Sequence, residues 1–215
     1  MSNVSCARSK LLPVPYFSQP TGITCQSTCL KMMATYLEQS VVRQSTGAAA
    51  RDILSIWKDV NESKDRPSQV RNAHTNLKWW LERHFPSIQF EYSPMADETR
   101  VIEKVVDYIN RGMPVLMSVS HARVAGHIVL VVGYENYQPL TSTPDFHLVV
   151  HDPYGKFDPS LLSNIYGGKR WDGGMSLASG GQSGPGQNCR LPLTGVGRQR
   201  SGDTSRGTYY LLSGK

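Results

Sequence analysis

Residues Gln19 to Leu37, QPTGITCQSTCLKMMATYL, carry the decision about the fold. A glycine-containing turn, Thr21-Gly22, leads into Cys25. From there Leu30, Met33, Ala34 and Leu37 recur at the three- and four-residue spacing of a helix. Cys25 is therefore expected at or just before a helix N-terminus, where unpaired backbone N–H groups and the positive end of the helix dipole stabilise a thiolate, the nucleophilic form of cysteine. Taken alone, Cys25 could equally be a buried inert thiol, the commoner state of a free cysteine. Cys29, one turn on and on the apolar side, is expected in the core.

Outward from this helix, which should run from Cys25 to about Gln39, Leu11 to Phe17 (LLPVPYF) reads as an extended, proline-stiffened segment. Ala48 to Val60 has helical spacing at Ile53, Leu54, Ile56 and Trp57. Pro67 is expected to open a helix to about His84 with Val70, Leu77, Trp80 and Leu81 inward, stopped by Pro86. Ile88 to Tyr92 alternates like a half-buried strand, and Asp97 to Arg111 is amphipathic through Val101, Ile102, Val105 and Ile109. Three strands follow: Pro114 to Val119, Ile128 to Tyr134 and His147 to Asp152. The first two are apolar on both faces, as central strands of a covered sheet are. Helices first and strands second give an α+β fold in one domain, with the Cys helix packed on an antiparallel sheet.

From Tyr166 to Gly207 the chain carries 12 of its 19 glycines with little periodicity. This basic, glycine-rich segment reads either as a mobile tail or as substrate-contacting loops closed by a last strand at Thr208 to Leu212. Residues 169–215 hold seven basic side chains against Asp172 and Asp203, so most of the formal charge of +6 belongs to this end and says little about the core. No nucleic-acid partner is expected. Four cysteines in 215 residues make no disulfide framework, and Cys25 and Cys29 lie one helical turn apart. No apolar run follows Met1, and no stretch approaches the roughly 18 apolar residues of a spanning helix. The chain reads as a soluble protein made in the cytoplasm without a signal peptide; any export would use a route or fused carrier the sequence does not show.

A thiol nucleophile needs a base within hydrogen-bond reach, a group fixing the base's tautomer, and donors for the oxyanion on the attacked carbonyl. His127 is the base candidate, because Ala125-Gly126-His127 puts an ionisable ring at the mouth of an otherwise apolar strand; His121 competes from the preceding loop-like stretch. Asp152 ends the next strand, and antiparallel pairing would set it beside His127. His151 competes with it, but successive strand residues point to opposite faces, and Asp152 before Pro153 could merely start a turn. His74, His84 and His147 read as surface or packing residues, and Trp79-Trp80 as one core and one surface ring. Cys25, Cys29 and Cys189 do not have a usual zinc-ligand spacing, and no strand precedes the glycines at 180–186, so neither a metal, a phosphate-binding loop nor a cofactor is expected.

Four phrases in order, Val14 to Gln19 (VPYFSQ), Cys25 to Leu30 (CQSTCL), Gly126 to Tyr134 (GHIVLVVGY) and His151 to Gly155 (HDPYG), resemble the papain-fold cysteine peptidases. They are most similar to the branch of double-glycine leader peptidases of bacteriocin exporters, with related phrases in bacterial effector proteases. The resemblance implies a peptidase or amidase with Cys25 as nucleophile, His127 as general base, Asp152 orienting the ring, and Gln19 joining the Cys25 N–H in the oxyanion hole. It sets Gln26 and Gly126 beside the substrate, although the family usually has glycine where Gln26 stands. The implied partner is a peptide or protein substrate. Cell-wall peptide is an alternative target, and an effector of this kind would meet an immunity or inhibitor protein. Acyl transfer on the same fold and a catalytically dead binding module are the readings from other classes.

Overall fold

The computed structural model describes residues 7–21, 23–119, 127–138, 146–153, 186–191 and 209–215. The helices are α1 (Cys25–Tyr36), continued by a π-turn (Leu37–Val41), α2 (Ile53–Glu62), α3 (His74–His84) and α4 (Glu98–Asn110). The strands are β1 (Lys10–Leu11), β2 (Phe90–Met95), β3 (Val115–Val119), β4 (His127–Glu135), β5 (His147–His151), β6 (Cys189–Leu191) and β7 (Tyr209–Gly214). They form one antiparallel sheet in the order β2-β7-β3-β4-β5-β6, with β1 on β4. The expected α+β class, helices packed on an antiparallel sheet, is what the chain adopts.

β4 explains the centre of the molecule. Its apolar run has β3 along His127 to Val131, β1 along Gly133 and Tyr134, and β5 along most of its other edge. Every residue from His127 to Tyr134 is buried as a result. The change of neighbour from β3 to β1 brings Lys10 so close that a Cβ on Gly133 would lie 2.4 Å from its carbonyl oxygen, which explains the glycine inside this strand. α1 is buried nearly all round: Gln26, Ser27 and Thr28 are shut in together with Leu30, Met33, Ala34 and Tyr36. A helix covered on every side shows only a weak apolar stripe.

One expectation is corrected. Pro67 does not open a helix. The Asn76 side chain accepts from the Ser68 N–H at 2.9 Å and donates to the Ser68 and Val60 carbonyls, while Asn61 accepts from the Asn72 N–H at 2.7 Å. These ties hold 68–72 in turns, with Asn72 at a φ of 59°, and α3 starts only at His74. Val70, expected inward, is 69% exposed. Of the two readings of the C-terminal end, the closing strand is present: β7 pairs with β2 along six residues and with β3 on its other edge, in the body of the sheet. The other glycine-rich residues, 166–185 and 192–207, lie outside the described residues.

Candidate active site

Cys25 is the first residue of α1 and is half-buried. Thr24 occupies the N-cap position, but its hydroxyl donates back to the Thr21 carbonyl at 3.0 Å and caps nothing in the helix. In α2 and α4, by contrast, Asp52 and Asp97 accept from the N–H groups of Ser55 and Arg100. The uncapped first turn of α1 leaves its donors to the sulfur, and the Gln26 N–H is one that reaches it.

His127 begins β4. Its Nε2 meets Asp152 Oδ1 at 2.8 Å, both side chains being almost wholly buried, and the ring also hydrogen-bonds the Cys25 thiol. With Nε2 engaged by the carboxylate, Nδ1 is the nitrogen left for sulfur. Burial pushes the Cys25 thiol up, but the hydrogen bond and charge of His127, with backbone groups of Ile128 and Gln26, outweigh it and hold the thiol below its ordinary value. Burial would likewise strip the proton from His127. The charge and hydrogen bond of Asp152, and then Cys25, overcome this and push the ring up to about 10. The two shifts agree in direction: each favours the charged form of its group, thiolate for Cys25 and imidazolium for His127. Burial, then the charges of Cys25 and Asp152, drive Cys29 the opposite way, well above the usual thiol range. Its Sγ donates to the Ile128 carbonyl at 3.5 Å, inside the core.

Gln19 is fully buried in the extended N-terminal segment. Its N–H donates to the Pro153 carbonyl at 2.8 Å, which binds the segment to the residue after Asp152. Its Nε2 donates to the Thr21 carbonyl at 2.6 Å, which fixes the amide's orientation and leaves a second N–H. The structure thus brings Gln19, Cys25, His127 and Asp152 to one place. Gln26 turns elsewhere: its Nε2 donates to the Asn72 carbonyl at 2.9 Å, joining α1 to the 68–72 turns. Gly126 and the competing His121 lie outside the described residues.

Asp152 has supports that the sequence did not reveal. Its N–H donates to the Gly186 carbonyl at 2.8 Å, and its own carbonyl accepts from Tyr16 Oη at 2.9 Å, which in turn accepts from Ser18 Oγ. A Cβ on Gly186 would stand 1.9 Å from the Asp152 carbonyl oxygen, so the turn can approach only because that residue is glycine. Beside it, His151 Nε2 donates to the Val14 carbonyl at 2.9 Å and Nδ1 accepts from the Asn188 N–H at 3.2 Å, with Tyr16 edge-on to the ring. Both ring nitrogens are used as they stand in the neutral form, so His151 fastens three segments together. The VPYFSQ phrase contained Tyr16, but the surrounding glycines hid Gly186.

A cysteine at a helix N-terminus facing a histidine backed by a carboxylate, on a helix-and-antiparallel-sheet scaffold, marks the chain as a papain-like cysteine peptidase. More narrowly, it belongs to the Peptidase_C39 like family, whose model matches residues 11–171 and so takes in Gln19, Cys25, His127 and Asp152. None of the curated proteins matches it in sequence. Among solved structures, the crystal structure of UfSP from C. elegans superposes with a TM-score of 0.45 at 10% identity. That match covers 99% of this chain and 35% of the other, so the chain spans about a third of that structure's length. Among the described residues no helix is long and apolar enough to cross a membrane.

Proposed function

We propose that the chain cleaves peptide bonds in a protein substrate, with Cys25 as nucleophile, His127 as acid and base, Asp152 orienting the ring, and Gln19 with the Cys25 N–H stabilising the oxyanion. The Cys25 thiolate attacks the carbonyl carbon, and the developing oxyanion is met by the second Gln19 N–H and the backbone N–H. The C–N bond breaks as His127 gives its proton to the departing amine, leaving a Cys25 thioester. Water then attacks the thioester while His127 takes its proton, the acid departs and the thiolate returns. The balance is amide plus water to acid plus amine.

The observation that carries the reading is the short His127–Asp152 contact behind a thiol held below its ordinary range. It favours an enzyme over an inert binding module, for which a thiol biased toward its nucleophilic form has no use. A protein target is preferred to cell-wall peptide because the family model that matches the chain is one of peptidases. Effector delivery and a double-glycine leader as substrate rest on the motif phrases alone and rank below it.

The test is incubation with a mixed protein pool and, separately, with purified cell wall, reading newly formed amino termini by mass spectrometry. Protein termini that vanish in Cys25→Ala are the expected result. Products from the wall alone would replace the protein target, and failure of Cys25 to react with iodoacetamide near neutral pH would remove the mechanism.

A further inference from the structure

Three rings lie together where the mechanism has no use for them. His74, the first residue of α3, stacks on Tyr92 of β2 at 5.5 Å between centroids and on Tyr210 of β7 at 5.1 Å, while the two tyrosines stack on each other at 6.1 Å. Their planes agree within 29°. All three are half-buried, and His74 Nε2 is closed off from solvent with no hydrogen-bond partner among the described residues. Burial pushes the His74 ring down to about 4, so it carries no charge at neutral pH. Glu91, next to Tyr92 in sequence, is taken up by Lys104 and Tyr108 of α4.

The group is tied to the reacting pair from two directions. The Tyr210 N–H donates to Ser118 Oγ at 3.0 Å, and Ser118 pairs with Ile128, the neighbour of His127. Gln26, the neighbour of Cys25, is bonded to the Asn72 carbonyl two residues before His74. Two strand spacings separate Tyr210 from β4, about 10 Å, which is the reach of roughly three residues of extended peptide. Two apolar side chains near these groups in sequence are exposed: Ile23, two residues before Cys25, at 60%, and Val70, four residues before His74, at 69%.

We infer that His74, Tyr92 and Tyr210 form a specificity shelf for an aromatic side chain of the peptide substrate, roughly three residues from the bond that is cut. An uncharged paved surface favours a flat apolar side chain through area and ring–ring contact. A lysine or arginine would gain only the cation–π attraction while its charge lost water. The inference rests on the peptidase reading for what the shelf serves, but binding can be measured apart from cleavage.

The probe is a set of fluorescein-labelled, alanine-based peptides carrying Phe, Leu, Lys or Glu at each position in turn, bound to the Cys25→Ala chain and read by anisotropy. At one position Phe should bind roughly tenfold tighter than Lys or Glu. His74→Glu, whose new carboxylate sits favourably at a helix N-terminus, should reverse the order so that Lys exceeds Phe. That gain cannot come from misfolding. Tyr92→Leu, which keeps apolar bulk but removes a ring, should reduce the Phe preference without creating one for Lys. Equal or absent binding of the Phe and Lys peptides, or an unchanged Phe-to-Lys ratio in folded His74→Glu, overturns the shelf. Selective binding without turnover by the intact Cys25 chain would instead overturn the peptidase reading and leave the shelf standing.

Discussion

Replacing Asp152 by Asn asks whether one carboxylate keeps His127 charged. Asp152 is fully buried, and its Oδ1 lies 2.8 Å from Nε2. With charge centres about 4 Å apart and an effective dielectric of about 20, the attraction is about 4 kcal/mol, or roughly three pH units at about 1.36 kcal/mol each. Against burial, which lowers the ring, Asp152 is thus the larger of the two pushes, ahead of Cys25, that lift His127 from 6.5 to about 10. Asn keeps the shape and an acceptor for the Nε2–H but carries no charge, so the ring should titrate roughly three units lower, at about 7. The sign follows from the raised value. The ring holds its proton below its folded-state pKa and loses it as pH rises through that point. The imidazolium that protonates the departing amine should therefore persist to about 10 in the native chain and fade from neutrality upward in the variant. Nitrogen NMR of labelled histidine rings reads this without a substrate, and peptide turnover against pH reads it again as the alkaline limb. A folded variant whose His127 still titrates near 10 would refute the assignment of the charge to Asp152.

Other consequences are open to measurement. Gln19→Ala should lower kcat on the order of a hundredfold while KM changes little, because its free N–H acts only on the oxyanion; an unchanged kcat removes it from that role. Gly186→Ala must displace the Asp152 carbonyl or the Tyr16 hydroxyl, since the added Cβ would meet them at 1.9 and 2.7 Å. It should cost about 1–3 kcal/mol in urea unfolding and most of the turnover. Glu91, bonded by Lys104, Tyr108, Ser93 and Lys215, is drawn down to about 2. Its folded-state value lies below the unfolded one, so Glu91→Gln should destabilise by on the order of 2 kcal/mol at neutral pH. That difference should fade as pH falls from about 4 toward 2, read as converging urea midpoints. Limited iodoacetamide near neutral pH should modify Cys25 and spare Cys29, whose thiol is buried and pushed upward; equal labelling would contradict both shifts.

Much of the site could be read from sequence because its groups sit at element boundaries, where local pattern speaks loudest. The helix after Cys25 announced itself through Leu30, Met33 and Leu37, and the apolar run after His127 could only be a covered strand. What stayed hidden depends on partners far along the chain. Pro67 looks like a helix start until Asn76 and Asn61 claim the intervening backbone. Tyr209 to Gly214 is a short apolar patch whose place beside β2 depends on residues more than a hundred positions away. Gly186 was one glycine among many until Asp152 lay against it, and His74 read as a packing residue because nothing nearby in sequence tells of Tyr210.

The position of β7 bears on how the molecule comes into being. β2 and β3 share no edge; each meets β7, which is translated after both. Until that ribbon arrives, the nascent polypeptide holds two unzipped borders, one of them on β3, whose other edge holds the strand that begins at His127. Closing a loop that long makes assembly slow, and bare borders invite pairing with other chains. The sheet beside the start of β4 is therefore closed only once β7 has been made.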